Sequence, residues 1–187
     1  MSKKDKKEQL IKLKKDCIEF FNGIYKNHQK ILVFGQGDPN AKLMLVGEAP
    51  GEQEIVQQKP FVGQAGKNLD EFLQIIGLNR EDIYITNAVK FRPFKTNPDT
   101  GRVSNRPPNR EEIELFRSWL YKELNIIMPS LIVSLGNVPL KVLSGDNSMT
   151  IGNVHGRPID IKIGEKGTDF TLFPLYHPAS IIYRRDL

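Results

Sequence analysis

The sequence predicts an α/β fold, a three-layer α/β/α domain around a short, mainly parallel central sheet of about four strands. Three observations predict it. Short apolar runs that stop at a polar residue or a glycine alternate with segments whose apolar residues recur at helical spacing. The chain of 187 residues suits one hydrophobic core. It also shows no internal repeat and no composition shift that would mark a boundary, so residues 1–187 are read as a single domain.

The elements follow in chain order. Residues 5–25 read as an amphipathic helix, because Leu10, Leu13, Cys17, Phe20, Phe21 and Ile24 recur at helical spacing; this N-terminal helical segment is set at 1–28. Lys42-Leu43-Met44-Leu45-Val46 is a short apolar run closed by Gly47 and reads as a buried strand. Residues 65–77 form the next helix, with Leu69, Phe72, Leu73 and Ile76 on one face and Gly77 as its stop. Asp82-Ile83-Tyr84-Ile85-Thr86-Asn87 is the second strand. Residues 88–108, rich in Pro, Asn, Gly and Arg, carry no periodicity and read as a long loop of the functional kind. A helix over 109–127 ends ahead of Pro129, a third buried strand covers 130–136, and a short helix covers 137–144. Residues 157–176 read as two strands joined around Gly164 and Gly167, and His177-Pro178 opens a last helix.

Composition excludes several classes. The apolar share of 39% and charged share of 26% are those of a soluble globular protein. No apolar run approaches the roughly 20 residues of a membrane helix. Residues 1–7 lack the apolar stretch of a secretory signal. The expectation is a cytoplasmic, nucleoid-associated protein with no membrane partner. Cys17 is the only cysteine, so an intrachain disulfide, a zinc site built on several thiolates and a four-thiolate iron–sulfur cluster are all excluded; no metal and no cofactor are expected. The net charge of +5 is unevenly spread: residues 1–16 hold seven lysines against three acids, and residues 90–110 hold Lys90, Arg92, Lys95, Arg102, Arg106 and Arg110 against Asp99 alone. Two separated basic segments suit a polyanion, and they equally suit a solvated helix face plus a solvated loop.

In open parallel sheets the ligand lies beyond the carboxyl ends of the strands, which directs attention to 47–51, 86–92, 136–138 and 177–180. Gly47-Glu48-Ala49-Pro50-Gly51 is a tight turn whose backbone N–H groups can point into a site. It is no phosphate loop, since neither GxGxxG nor GxxxxGK[ST] occurs. Phe61, in the stretch 59–66, can lie against a planar ligand or plug the core. Asn87 ends the second strand with an amide donor and acceptor side by side, which matches the N3–H and O4 edge of uracil and mismatches cytosine. An asparagine there can also simply cap a loop. His177, fixed at the sheet rim ahead of Pro178, can be a catalyst or a packing residue.

Together these motifs resemble the uracil-DNA glycosylase superfamily, most closely its family 4. That family is known for a GE(A/G)PG first motif, a PFVG-(x)-AG loop, a TN pair after the second strand and an HP motif near the end. This sequence has them in that order, and the shared pattern covers residues 32–183.

The resemblance implies a monomeric DNA-repair glycosylase. It would flip uracil out of single- or double-stranded DNA and hydrolyse its N-glycosidic bond, leaving an abasic site. It implies that backbone amides around Gly47, Glu48 and Ala49 bind the base and place the water, that Phe61 stacks on uracil, that Asn87 reads it, and that His177 donates to O2. Ala49 stands where many superfamily members carry Asp or Asn, so Glu48 is the candidate general base. Glu54 matches a position that crowds C5 and excludes thymine. Lys90, Arg92, Arg102 and Arg106, with Ser180, Arg184 and Arg185, are expected to hold the DNA backbone. Ile181 or Ile182 would fill the vacated stack, or form the buried face of an ordinary helix.

The sequence also departs from the family. Family 4 members usually hold an iron–sulfur cluster on four cysteines, whose positions here carry Phe20, Gly23, Phe91 and Leu115, as if a hydrophobic cluster replaced the metal. Some relatives trap DNA through a histidine near 100–108, and no histidine lies there. The chain ends at Leu187, where relatives continue into a longer helix. Two other functions stand beside the glycosylase: a catalytically weak uracil- or damage-sensing DNA-binding protein of the same fold, and a nucleotide-binding α/β module. Retention of Phe61, Asn87 and His177 disfavours the first, and the missing phosphate loop the second.

Overall fold

A computed structural model describes residues 1–25, 30–164 and 167–180. Helix α1 (Lys3–Ile24) starts at a reciprocal cap, in which the Ser2 hydroxyl accepts from the Asp5 amide and the Asp5 carboxylate accepts from the Ser2 amide. After it come β1 (Gln36–Gly37), β2 (Leu43–Gly47), α2 (Glu52–Gln57), α3 (Gln64–Ile75), β3 (Tyr84–Asn87), β4 (Phe94–Thr96) and β5 (Val103–Asn105). Then follow α4 (Arg110–Ile127), β6 (Leu131–Leu135), α5 (Asn137–Ser144), α6 (Ile151–Val154), β7 (Ile159–Ile163) and β8 (Thr168–Leu175). Helix α4 repeats the capping logic with Asn109 and Glu112 and ends on Met128 in the left-handed conformation, ahead of Pro129.

Among the described residues the sheet has six strands in the order β1-β3-β2-β6-β8-β7, so the expected count of about four is corrected. The four central strands are parallel, and the two edges, β1 and β7, are antiparallel. Strand β1 has two residues, too few for any periodicity to show in sequence. The 88–108 loop is corrected too: β4 and β5 pair within it as a hairpin. Its turn is closed by the Asn97 side chain, which accepts from the amides of Asp99 and Thr100, and by Gly101 at φ +67°. Phe94, Lys95 and Thr96 are all exposed, so β4 has no apolar alternation to read.

Both faces of the sheet are covered. Met44, Val46, Tyr84, Ile132 and Leu172 pack with Leu120, Leu124 and Ile127 of α4 and Leu140 and Leu143 of α5. Leu45, Ile83, Ile85, Val133 and Leu135 form a second cluster with Phe61 and with Leu69 and Leu73 of α3. Burial on both faces explains why the parallel strands read as continuous apolar runs. Cys17 and Phe21 of α1, Phe116 of α4, and Val89 and Phe91 build a third cluster. The register aligns Gly47 with Asn87, Val46 with Ser134 and Leu135 with Leu175, so the carboxyl ends of the parallel strands form one rim.

Candidate active site

The strand ends meet at Gly47. A Cβ there would lie 2.4 Å from Asn87 Oδ1 and 2.5 Å from the Phe61 ring, so only glycine lets the three come together. The turn after β2 is laced to the segment after β3, because Ala88 N donates to Gly47 O at 2.8 Å and Val89 N to Glu48 O at 3.0 Å. Asn87 is buried, and its Nδ2 has no hydrogen-bond partner among the described residues. A buried amide donor without a protein acceptor takes one from water or a ligand. Phe61 is also buried, and its ring lies 5.9 Å from the His177 imidazole at an interplanar angle of 29°.

His177 follows β8 after one residue. Its Nδ1 accepts from the Ala179 amide at 3.2 Å, which leaves the proton of the neutral ring on Nε2. Burial lowers its pKa, opposed in part by the Glu54 carboxylate, so the neutral, Nε2-donating form is favoured near neutral pH. Ala49, Gly51, Glu54, Phe61, Asn87 and His177 line a cavity of about 320 Å³, within the size range of small-ligand pockets.

A second cavity of about 300 Å³ shares Ala49, Asn105 and His177 with the first and adds Glu48, Pro50, Pro93, Arg106 and Pro107. Glu48 therefore opens not onto the base-sized cavity but onto its neighbour. Burial raises its carboxyl pKa above the ordinary glutamate range. Glu54 acts as a strut, since its carboxylate accepts from the amides of Gly51 (3.1 Å), Val62 (2.9 Å) and Gly63 (2.7 Å), joining the turn after β2 to the Phe61 loop.

Residues 34–187 match the profile of the uracil DNA glycosylase superfamily. The chain belongs to that superfamily. It is 40% identical over 157 residues to a type-4 uracil-DNA glycosylase of Sulfurisphaera tokodaii, covering 82% of this chain and 66% of that protein. It is 38% identical over 156 residues to a type-4 uracil-DNA glycosylase of Archaeoglobus fulgidus, covering 82% of this chain and 73% of that one. A DNA polymerase of Bacillus phage SP01 is 32% identical over 149 residues, which cover 79% of this chain and 14% of the polymerase.

The four-cysteine cluster of this superfamily's family 4 does not fit this member. Cys17 is the only cysteine, and it is wholly buried, with its thiol pushed up to about 12 mainly by burial. Phe91 lies buried beside Phe116, and the Phe116 ring stacks on Phe21 at 4.2 Å. A hydrophobic cluster does stand there, but its buried member on α1 is Phe21. Phe20, the residue expected, is 44% exposed and meets Phe21 and Trp119 at the cluster's edge, and beyond its own helix turn nothing lies within 4 Å of a Cβ built on Gly23.

The predicted DNA contacts divide. Lys90 is corrected: it is 2% exposed, and its ammonium donates to Glu123 Oε2 (2.6 Å), Thr86 Oγ1 (2.7 Å) and the Asn87 carbonyl (2.8 Å). It cannot reach a phosphate from there. Glu123 completes the network by accepting from Tyr84 and Thr86. Arg92 is held by Asn105 and Glu52, and Arg106 makes a two-pronged pair with Glu112. Arg102 is exposed. Ser180 is half-buried, and Ile181, Ile182, Arg184 and Arg185 lie outside the described residues. Asn105, which lines both cavities, is missed by sequence reasoning because nothing local to an exposed three-residue strand marks it.

Proposed function

We propose that this protein flips uracil out of DNA and hydrolyses its N-glycosidic bond, leaving an abasic site. The observation that carries the reading is one cavity lined by the buried Asn87, whose Nδ2 has no partner among the described residues, by the Phe61 ring and by a neutral histidine. Uracil O4 supplies the missing acceptor, and N3–H donates to the amide oxygen; cytosine presents the opposite polarity at both atoms.

The reaction follows from the same groups. The C1′–N1 bond breaks with its electron pair going to the base, where charge collects on O2, and the Nε2 proton of His177 meets it there. Water adds to C1′ of the cationic sugar. Glu48, in the adjoining cavity, takes the proton the water loses. Ala49 contributes backbone and space at the junction of the two cavities. Glu54 sets the distance between the two loops and narrows the cavity on the thymine methyl side. Arg102, together with Ser180, Arg184 and Arg185, holds phosphates, and Ile181 or Ile182 fills the gap left in the stack. We extend the reading to a single-domain, monomeric enzyme of the cytoplasm, associated with the nucleoid. Among the described residues no helix is long and apolar enough to cross a membrane.

The experiment is a uracil-containing oligonucleotide, single-stranded and as a U:G duplex, followed by alkaline cleavage. Excision undiminished by EDTA is expected, and iron should be absent from the purified protein. No cleavage of either strand, with binding retained, would leave the damage-sensing reading instead.

A further inference from the structure

We propose that Arg80, paired with Asp70, is a positioning residue for the base-stacking ring. It clamps Phe61 in the backbone conformation that turns that ring into the pocket, an inference that rests on the glycosylase reading. Among the described residues, three other than glycine have φ in the left-handed region: Gln58, Phe61 and Met128. Gln58 and Met128 are the C-caps of α2 and α4, where that conformation is ordinary. Phe61, at φ +53°, ends no helix, and its bulky side chain makes the conformation costly. Strain of this kind persists only where the surroundings over-determine it.

Arg80 supplies that determination from outside the pocket. Its Nη2 donates to the Phe61 carbonyl and, at 3.3 Å, to Gly66 O, while Nη1 donates to Pro60 O at 3.2 Å. Its Nε donates to Asp70 Oδ1 at 2.5 Å, so α3 itself anchors the fork. One planar guanidinium thus ties three carbonyls and a carboxylate, a task no lysine can perform. Gly66 completes the clamp: a Cβ there would lie 1.9 Å from the Phe61 carbonyl oxygen. From the other side, the ring is wedged against Gly47. Neither Arg80 nor Asp70 lines the base-sized cavity, so any effect on excision passes through Phe61.

The test is a double-mutant cycle of Arg80→Ala with Phe61→Ala, read by kcat and KM on a uracil oligonucleotide, by inhibition with free uracil and by affinity for an abasic-site oligonucleotide. Arg80→Ala should lower kcat/KM and weaken uracil inhibition by about tenfold, within the range that losing base–aromatic stacking spans. Affinity for abasic DNA, which has no base to stack, should stay the same. The double variant should be no worse than Phe61→Ala alone. If Arg80→Ala does not fold, Arg80→Lys keeps the charge opposite Asp70, removes the fork and carries the same cycle. Additive losses, or an unchanged kcat/KM in the folded variant, would overturn the inference while wild-type excision still upheld the glycosylase reading. A wild type unable to excise uracil would fail that reading first.

Discussion

Burial moves Glu48 and His177 in opposite directions, and the sign decides what each contributes at neutral pH. The folded pKa of Glu48 lies above its unfolded value, so its favourable contribution to stability is complete below that value and is lost as pH rises through the folded one. Partial burial thus works against its charged form. Glu48→Gln should therefore raise Tm at pH 7, by about 2–4 °C for each kcal/mol regained, and still cut kcat by about 10²-fold or more if Glu48 is the base. A variant that is stabilised with kcat unchanged would place the water-activating group elsewhere. His177 runs the other way. Its folded pKa is depressed, so the stability of its neutral form is present above the unfolded value near 6.5 and is lost as pH falls through the folded one. Asn87→Asp should reduce uracil excision sharply, because an ionised carboxylate presents an acceptor to O4 where Nδ2 offered a donor. A change of less than about threefold, equal to roughly 0.6 kcal/mol, would show that Asn87 does not read the base.

At the scale of elements, the segment after β3 is where sequence and structure part. Lys90 sits among arginines, and a count of charge along the chain assigns it to DNA. Its counter-ion, Glu123, lies 33 residues away on α4, and no local pattern reports such a partner. Arg92 likewise finds its carboxylate far off in sequence, at Glu52 on α2, while Arg106 pairs with Glu112 in the first turn of the next helix. By contrast, the turn after β2, Asn87 and His177 are legible, because a rule of topology sends ligands to the carboxyl ends of parallel strands. Phe61 is legible as an aromatic on a glycine-flanked loop, while its left-handed backbone is not. Removing one member of a buried ion pair strands the other, which typically costs about 3–5 kcal/mol. Lys90→Ala should lose stability on that order by denaturant unfolding, and it should disturb Asn87, whose carbonyl the ammonium holds. The salt dependence of DNA binding should not change in this variant. A folded Lys90→Ala protein with a shallower salt slope would return the residue to the DNA.

At the scale of the whole molecule, the net charge of +5 says less than its accessibility. Of the six basic residues in 90–110, Lys90 is buried and Arg92 and Arg106 are tied to carboxylates, while Lys95, Arg102 and Arg110 are exposed. Arg102 stands in the β4–β5 hairpin, whose far strand ends at Asn105 on the cavity wall. A duplex drawn to the cavity would thus meet the exposed side of the hairpin first. Each phosphate neutralised on duplex DNA contributes about 0.9 to the slope of log K against log salt. Arg102→Ala should therefore shallow that slope by about one unit and weaken all sequences alike. Arg106→Ala should behave differently, because its guanidinium is already spent on the largely buried Glu112 and on two backbone carbonyls. Its expected effect is a lower Tm with the salt slope nearly unchanged. Equal slopes for wild type and Arg102→Ala would make the hairpin a solvated ornament of the fold. The lysines of α1, exposed at Lys4 and Lys7, would then be the surface that meets the phosphates.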